Sequence, residues 1–241
     1  MHKCALVVSG GLGTRLHPFT KVIPKPLMPI GSQTLLERHV ANLASHGFSR
    51  VYIAVRYFKE IFAAIIPSFS ERYDIDITLI DEDAPLGTFG TALELCKSQQ
   101  SIDPSCPFVV INADVISDID LGHFYDYSIA LAKPMVVVVN DFEVQVPYGV
   151  VSESLGSLVG VREKPLIQVQ IFSGIYFISP RIGQLIERIE GAPIGVDGVI
   201  EALISRGESI GLYRHLGRWI DTGTLDDLVR ANELFYPQVP A

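Results

Sequence analysis

Along the first 140 residues, short runs rich in Val and Ile alternate with segments of helical period, and this alternation restricts the fold more than any other feature of the chain. Lys3–Val8, Val51–Val55, Ile75–Ile80, Pro107–Ile111 and Met135–Val139 read as strands with few polar positions inside them. Between them Thr34–His46, Lys59–Ile66, Thr88–Lys97 and Leu121–Leu131 read as helices. In the first helix Leu36, Val40, Leu43 and Ala44 share a face, and Thr34 with Glu37 forms the T-x-x-E pattern of a capping box. Strands apolar on both faces and separated by helices belong to a largely parallel sheet covered on two sides. After about Val144 the spacing shortens. Tyr148–Ser152, Leu158–Arg162 and Ile171–Ile178 lie too close for helical crossovers, so antiparallel pairing is expected there. Helices follow at Pro180–Glu190 and Val196–Arg206, then a strand at Ser209–Tyr213. A last helix starts near Thr224, with Asp226 and Asp227 where the helix dipole favours acids. The expectation is one α/β domain over residues 1–241, a mixed, mainly parallel sheet flanked by helices.

Composition narrows the class. Apolar residues make up 48% of the 241 and charged ones 19%, enough for a buried core and incompatible with wholesale disorder. Cys4, Cys96 and Cys106 show no C-x-x-C spacing, which argues against a disulfide framework or a structural zinc site. The apolar run before Gly10 is too short for a signal-peptide core, and no stretch nears the roughly 20 apolar residues that span a bilayer. A soluble, cytoplasmic protein without membrane partners is expected. The net charge of −8 speaks against nucleic acid as a partner. Its distribution is uneven: residues 1–50 carry six basic side chains against the single acid Glu37. A basic first segment in an acidic protein suits a small anionic substrate.

The strongest local signal is Ser9-Gly10-Gly11-Leu12-Gly13-Thr14-Arg15-Leu16, straight after the first strand. Glycines at 10, 11 and 13 allow positive φ and close approach of a ligand, and successive free N–H groups there form an anion-binding concavity. No lysine follows as a Walker A loop requires, and Leu16 stands where a dinucleotide fingerprint needs glycine. Arg15 instead supplies a planar, always charged fork suited to phosphate. A tight structural turn would account for the glycines but not for the arginine. In Pro24-Lys25-Pro26-Leu27 the flanking prolines stiffen the segment and are expected to hold Lys25 extended.

These residues resemble the sugar-1-phosphate nucleotidylyltransferases, whose opening pattern G-G-x-G-T-R-L followed by P-K-P-L stands here intact. The resemblance covers nearly the whole chain. Glu82–Thr88 is similar to the family's base-recognition segment and Asn112-Ala113-Asp114 to its metal-binding strand end. Tyr148–Val151 and Glu163-Lys164-Pro165 are similar to its sugar-phosphate site, Ser173–Tyr176 to its T-G-x-Y stretch, and Trp219–Thr224 to its second metal carboxylate segment. The wording of 85–88 and 112–115 is most like mannose-1-phosphate guanylyltransferases and related bacterial enzymes. Ser173 departs from the Asn or Thr common in relatives, and Ser9 from their Ala or Gly.

The resemblance implies a Rossmann-like nucleotidyltransferase fold with no C-terminal β-helix, residues of about 1–140 binding nucleotide and about 141–241 binding sugar phosphate. It implies that a sugar 1-phosphate attacks the α-phosphorus of a nucleoside triphosphate, GTP weakly favoured, and releases pyrophosphate. Arg15 and the N–H groups of Gly10, Gly11, Gly13 and Thr14 would hold the β- and γ-phosphates, and Lys25 the α-phosphate. Gly87 would leave room for the base beside Glu82; Lys164 would meet the sugar phosphate, and Gly149, Glu163 and Ser173 the sugar. Asp114 alone reads as a turn cap; paired with Asp221, it becomes half of a hard-oxygen Mg²⁺ site. Asp118 and Asp120 read as a solvated turn and helix start, Glu163–Pro165 could be an ordinary turn, and Trp219 reads as core or a wall beside Asp221. The six histidines show no ligand spacing, and His39 and His46 are expected on a solvated helix face. Two other functions stay open: a CTP-dependent cytidylyltransferase of phosphocholine or a phosphonate, and a non-catalytic nucleotide-sensing subunit. Homo-oligomerisation is left open as well.

Overall fold

The computed structural model describes residues 2–97, 106–186 and 194–236. In chain order it contains β1 (Lys3–Val8), β2 (Pro29–Ile30), β3 (Gln33–Thr34), α1 (Leu35–Ser45), β4 (Phe48–Val55), α2 (Lys59–Tyr73), β5 (Asp76–Asp81) and α3 (Gly87–Lys97). Then come β6 (Phe108–Asn112), β7 (Val115–Ser117), α4 (Leu121–Leu131), β8 (Met135–Gln145), β9 (Val150–Ser154), β10 (Ser157–Arg162) and β11 (Leu166–Ile178). The chain closes with α5 (Ile182–Leu185), α6 (Val196–Ser205), β12 (Gly211–His215), β13 (Trp219–Asp221) and α7 (Leu225–Phe235). The expected helix Pro180–Glu190 is present as α5; its remainder after Ile186 lies outside the described residues.

The main sheet has seven strands in the order β12-β8-β11-β6-β1-β4-β5, all parallel except β11, which runs against both neighbours. In β1, Ala5, Leu6 and Val7 have no exposed surface, as a central strand covered on both faces requires. Alternation divides the core. Ala5, Val7, Val109, Val136 and Val138 face α1, α2 and α4, while Leu6, Val110, Met135 and Val137 face α3 and α6. Among the described residues no helix is long and apolar enough to cross a membrane.

Several sequence expectations need correction. The α1 N-terminus is only half a capping box: Thr34 accepts from the Glu37 N–H at 3.1 Å, but the Glu37 carboxylate turns to Arg72 and Tyr73. The reciprocal box forms on α7 instead, between Thr224 and Asp227. Helix α2 runs through Pro67 to Tyr73; Pro67 and Ala63, whose carbonyl loses its partner, both lie on the exposed side, so solvent can satisfy the gap. His39 is buried, because its spacing of three from Leu36 and four from Leu43 puts it on the apolar stripe. Asp118 is exposed outside the strands, as expected, but its carboxylate is engaged: it meets Arg218 at 3.0 Å and His215 at 3.1 Å.

Candidate active site

Strands β1, β4, β5 and β6 end at one rim, at Val8, Val55, Asp81 and Asn112, so the segments that follow them converge. The glycine loop is anchored by Ser9 N–H on the Ala54 carbonyl at 3.1 Å and by the Thr20 hydroxyl on the Gly13 carbonyl at 2.8 Å. Gly13 is left-handed at φ 60° and opens a 3₁₀ turn over Thr14–Leu16, on which Thr14 and Arg15 are exposed. A Cβ on Gly10 would fall 2.3 Å from Glu82 Oε2, so any larger residue there must displace the Glu82 carboxylate. A Cβ on Gly11 would meet nothing within 4 Å, so among the described residues the space above it is open.

That space divides into two adjoining cavities that share Val8, Gly11 and Thr88. The larger, about 290 Å³, is lined by Gly10, Leu12, Tyr57, Glu82, Pro85 and Gly87 among others. Glu82 is buried; its N–H binds the Val55 carbonyl at 2.9 Å and Oε1 accepts from the Thr91 hydroxyl. Gly87 has φ +83°, and a Cβ there would lie 2.4 Å from the Ile194 carbonyl oxygen. A glycine is therefore demanded by the Ile194 backbone strap, tied by Ile194 N–H to the Leu86 carbonyl at 2.8 Å, and the same residue lines the cavity beside Glu82.

The smaller cavity, about 140 Å³, is bordered by Lys25, Asn112 and Asp114. Lys25 is not extended: Lys25–Leu27 form a 3₁₀ turn closed by Met28 N–H on the Lys25 carbonyl at 3.0 Å. Its Nζ lies 2.7 Å from Asp114 Oδ2, and the lysine side chain is only 10% exposed. Asp114 is held from two sides. The short antiparallel pair β7/β13 sets Asp221 opposite Val115, and Thr222 donates both its N–H and its hydroxyl to the Asp114 carbonyl at 2.8 Å. From α1, His39 Nε2 donates to the Ala113 carbonyl at 3.2 Å. Burial holds His39 neutral, its pKa lowered to about 4 despite that hydrogen bond. The sequence expectation of a solvated His39 fails here, although its three-residue spacing from Leu36 marks it as inward, and Thr222 carries no signal beyond its place in the 219–224 segment.

Burial, reinforced by the Asp114 carboxylate, raises Asp221 above the ordinary carboxylate range, while Lys25 and Arg15 pull it down. Asp221 Oδ1 is buried with no hydrogen-bond partner among the described residues. Two neighbouring carboxylates with an unsatisfied oxygen are a donor set suited to a hard divalent cation. Arg15 reaches the same place: its guanidinium lies against Gly223, two residues after Asp221.

The remaining expected residues divide. Gly149, Glu163 and Lys164 are exposed together where β8 and β11 leave the sheet; a Cβ on Gly149 would sit 3.1 Å from Glu163 Oε2, and Lys164 N–H binds the Tyr148 carbonyl at 3.2 Å. Ser173 is not with them. It is wholly buried in a β-bulge, with Gly174 at φ +76° turning it inward, and its hydroxyl accepts the Ile175 N–H at 3.3 Å. Its carbonyl instead accepts from Trp219 Nε1 at 2.8 Å, fixing that ring as a wall two residues from Asp221.

A parallel-sheet rim with a glycine-rich loop, a clamped lysine and paired carboxylates is the architecture of a nucleotide-handling transferase. The chain belongs to the nucleotidyl transferase family, which matches residues 4–236. It is 31% identical to a mannose-1-phosphate guanyltransferase of Schizosaccharomyces pombe and 30% identical to mannose-1-phosphate guanylyltransferase 1 of Arabidopsis thaliana, in each case over 96% of this chain. It spans 64% of the length of these relatives. Among solved structures it is similar to HddC from Yersinia pseudotuberculosis, with a TM-score of 0.72 and 26% identity over 98% of this chain and all of that one. HddC has also been solved complexed with GMP-PN.

Proposed function

We propose that this chain transfers a nucleotidyl group from a nucleoside triphosphate, GTP by preference, to a sugar 1-phosphate, giving a nucleoside-diphosphate sugar and pyrophosphate. The observation that carries this reading is the convergence of Lys25, Asp114, Asp221 and Arg15 next to a loop whose central Gly11 faces open space. Such a reaction needs positioning and charge neutralisation more than covalent chemistry. Like charges 4 Å apart repel by about 4 kcal/mol at an effective dielectric near 20, and aligning a triphosphate with a monophosphate creates several such pairs.

A phosphate oxygen of the sugar phosphate attacks the α-phosphorus, and the bond to the β-phosphate breaks. Lys25, stiffened by Pro24 and Pro26, meets the α-phosphate. Arg15 and the N–H groups of the 10–14 loop take the negative charge that accumulates on the leaving pyrophosphate. Glu163 and Gly149 face the sugar and Lys164 its phosphate; Ser173 acts behind them by holding Trp219. Asp114 and Asp221 would hold Mg²⁺, which supplies further positive charge beside the reacting phosphates. The base occupies the cavity at Glu82. A carboxylate only accepts hydrogen bonds, and guanine offers donors at both N1 and N2 along one edge. The guanylyl relatives and the GMP-PN complex of HddC support the same base.

The test is pyrophosphate release from each of the four nucleoside triphosphates with Mg²⁺ and a panel of sugar 1-phosphates led by mannose 1-phosphate. GTP with a hexose 1-phosphate should turn over fastest. Turnover only of CTP with phosphocholine would replace the sugar reading, and no release from any pair would leave a nucleotide sensor.

A further inference from the structure

The cavity that holds Glu82 carries a second charged side chain, Arg56, which is partly exposed where Glu82 is buried. Its position follows from strand register. β4 and β5 pair in parallel with Val55 opposite Asp81, and Glu82 N–H continues the ladder onto the Val55 carbonyl at 2.9 Å. Arg56 and Glu82 are therefore the next residues of two adjacent strands, whose backbones lie about 4.8 Å apart. Opposite charges at such positions commonly pair, yet these two do not. Asp81 is taken by Lys59, Glu82 accepts from the Thr91 hydroxyl, and Arg56 has no ion-pair partner among the described residues. Its guanidinium lies instead 5.0 Å from the centre of the Tyr57 ring, another lining residue of the same cavity.

We propose that Arg56 is a specificity-determining residue that reads O6 and N7 of guanine while Glu82 reads N1 and N2, an assignment that rests on guanine being the base in this cavity. Guanine presents its polar atoms in the order N2, N1, O6, N7: two donors, then two acceptors. A carboxylate only accepts and a guanidinium only donates, so an acid and a base side by side match that order without a misfit. The planar guanidinium fork suits the O6/N7 pair in particular. Adenine is rejected at both ends, since it sets its N6 amino group against Arg56 and its unprotonated N1 against Glu82. Uracil keeps one donor and one acceptor but has nothing in the place of N7. Base selection then belongs to the charged pair and not to Glu82 alone. A cation used here for phosphate would serve every triphosphate equally, which separates the two roles by experiment.

Isothermal titration calorimetry on the whole chain, with Mg²⁺ and no sugar phosphate, tests this with GTP, ATP, 7-deaza-GTP, which carries C–H in place of N7, and ITP, which lacks the 2-amino group. The wild type should bind GTP roughly tenfold or more tighter than 7-deaza-GTP or ITP. Arg56→Ala should weaken GTP binding about tenfold to a hundredfold, erase the difference between GTP and 7-deaza-GTP, and keep the penalty for ITP. ATP should bind the variant no worse than it binds the wild type. Circular dichroism melting shows that the variant stays folded. A wild type indifferent to N7, a 7-deaza penalty that survives in Arg56→Ala, an ITP penalty that vanishes with it, or equal losses for GTP and ATP would overturn the role of Arg56 alone. No binding of GTP at about 1 mM would overturn it together with the guanine assignment. Pyrophosphate release from another triphosphate would then leave the transfer reaction standing.

Discussion

The guanidinium of Arg15 rests on the α-carbon of Gly223, so closely that a Cβ built there would lie 2.7 Å from Nη1. This contact joins the glycine loop to the segment bearing Asp221, and in the proposed reaction Arg15 would meet the leaving pyrophosphate from there. Arg15→Ala should lower kcat/KM for pyrophosphate release by about 10²–10³. Gly223→Ala, which only displaces the guanidinium, should cost about tenfold. Steady-state kinetics with unchanged melting curves check both; activity of Arg15→Ala within tenfold of wild type would remove the assigned role.

Asp221→Ala should lose about 10²–10³ in rate while the fold survives, since the strand pair β7/β13 is held by backbone hydrogen bonds. Excess EDTA should abolish activity, and added Mg²⁺ should restore it. Full turnover in EDTA would take Asp114 and Asp221 out of the metal role.

Glu82→Gln exchanges one acceptor for a donor in the base cavity. We expect kcat/KM with GTP to fall about tenfold or more, with a smaller loss for UTP, because an unmatched buried polar group is costly. Comparing the two triphosphates in parallel assays measures this; equal losses would place the base elsewhere.

His39 gives a pH signature of folding. Its ordinary pKa of 6.5 falls to about 4 through burial. Between these values the unfolded chain takes up a proton that the folded chain refuses, so this contribution is complete above about pH 6.5 and is lost as the pH falls toward 4. At 1.36 kcal/mol per pKa unit the loss is about 3 kcal/mol. His39→Gln retains a donor for the Ala113 carbonyl and removes the titration. Urea unfolding from pH 7 to 4 should show wild type losing about that much more stability than the variant; parallel curves would contradict the buried neutral imidazole.

The elements most readable in the sequence are those whose signal is local. β1, α4 and the paired hairpin strands follow from apolar runs and periodicity, and the glycine loop and Lys25 segment announce themselves by composition. What the sequence hides depends on long-range pairing. The three-residue strands β7 and β13 are too short to show a pattern, yet their pairing sets Asp221 beside Asp114. The bulge at Ser173 depends on Gly174 fitting against Asn112 and Val115, a contact no spacing rule encodes. Asn112, in the sequence no more than the first residue of Asn112-Ala113-Asp114, borders the smaller cavity with its Oδ1 buried and unpartnered among the described residues. Gly87 stands out in the sequence beside Glu82, but the strap that also requires a glycine there comes from Ile194, more than a hundred residues later.

Because the chain leaves the sheet along β8 and returns along the reversed strand β11, residues 146–165 form a single excursion whose two ends are side by side. Lengthening it, shortening it or rewriting its tip leaves the strand order and the carboxylate pair as they are. Under the proposed function, in which Gly149, Glu163 and Lys164 meet the sugar phosphate, an engineer could exchange these acceptor contacts as one contiguous stretch of gene without touching Lys25, Asp114 or Asp221.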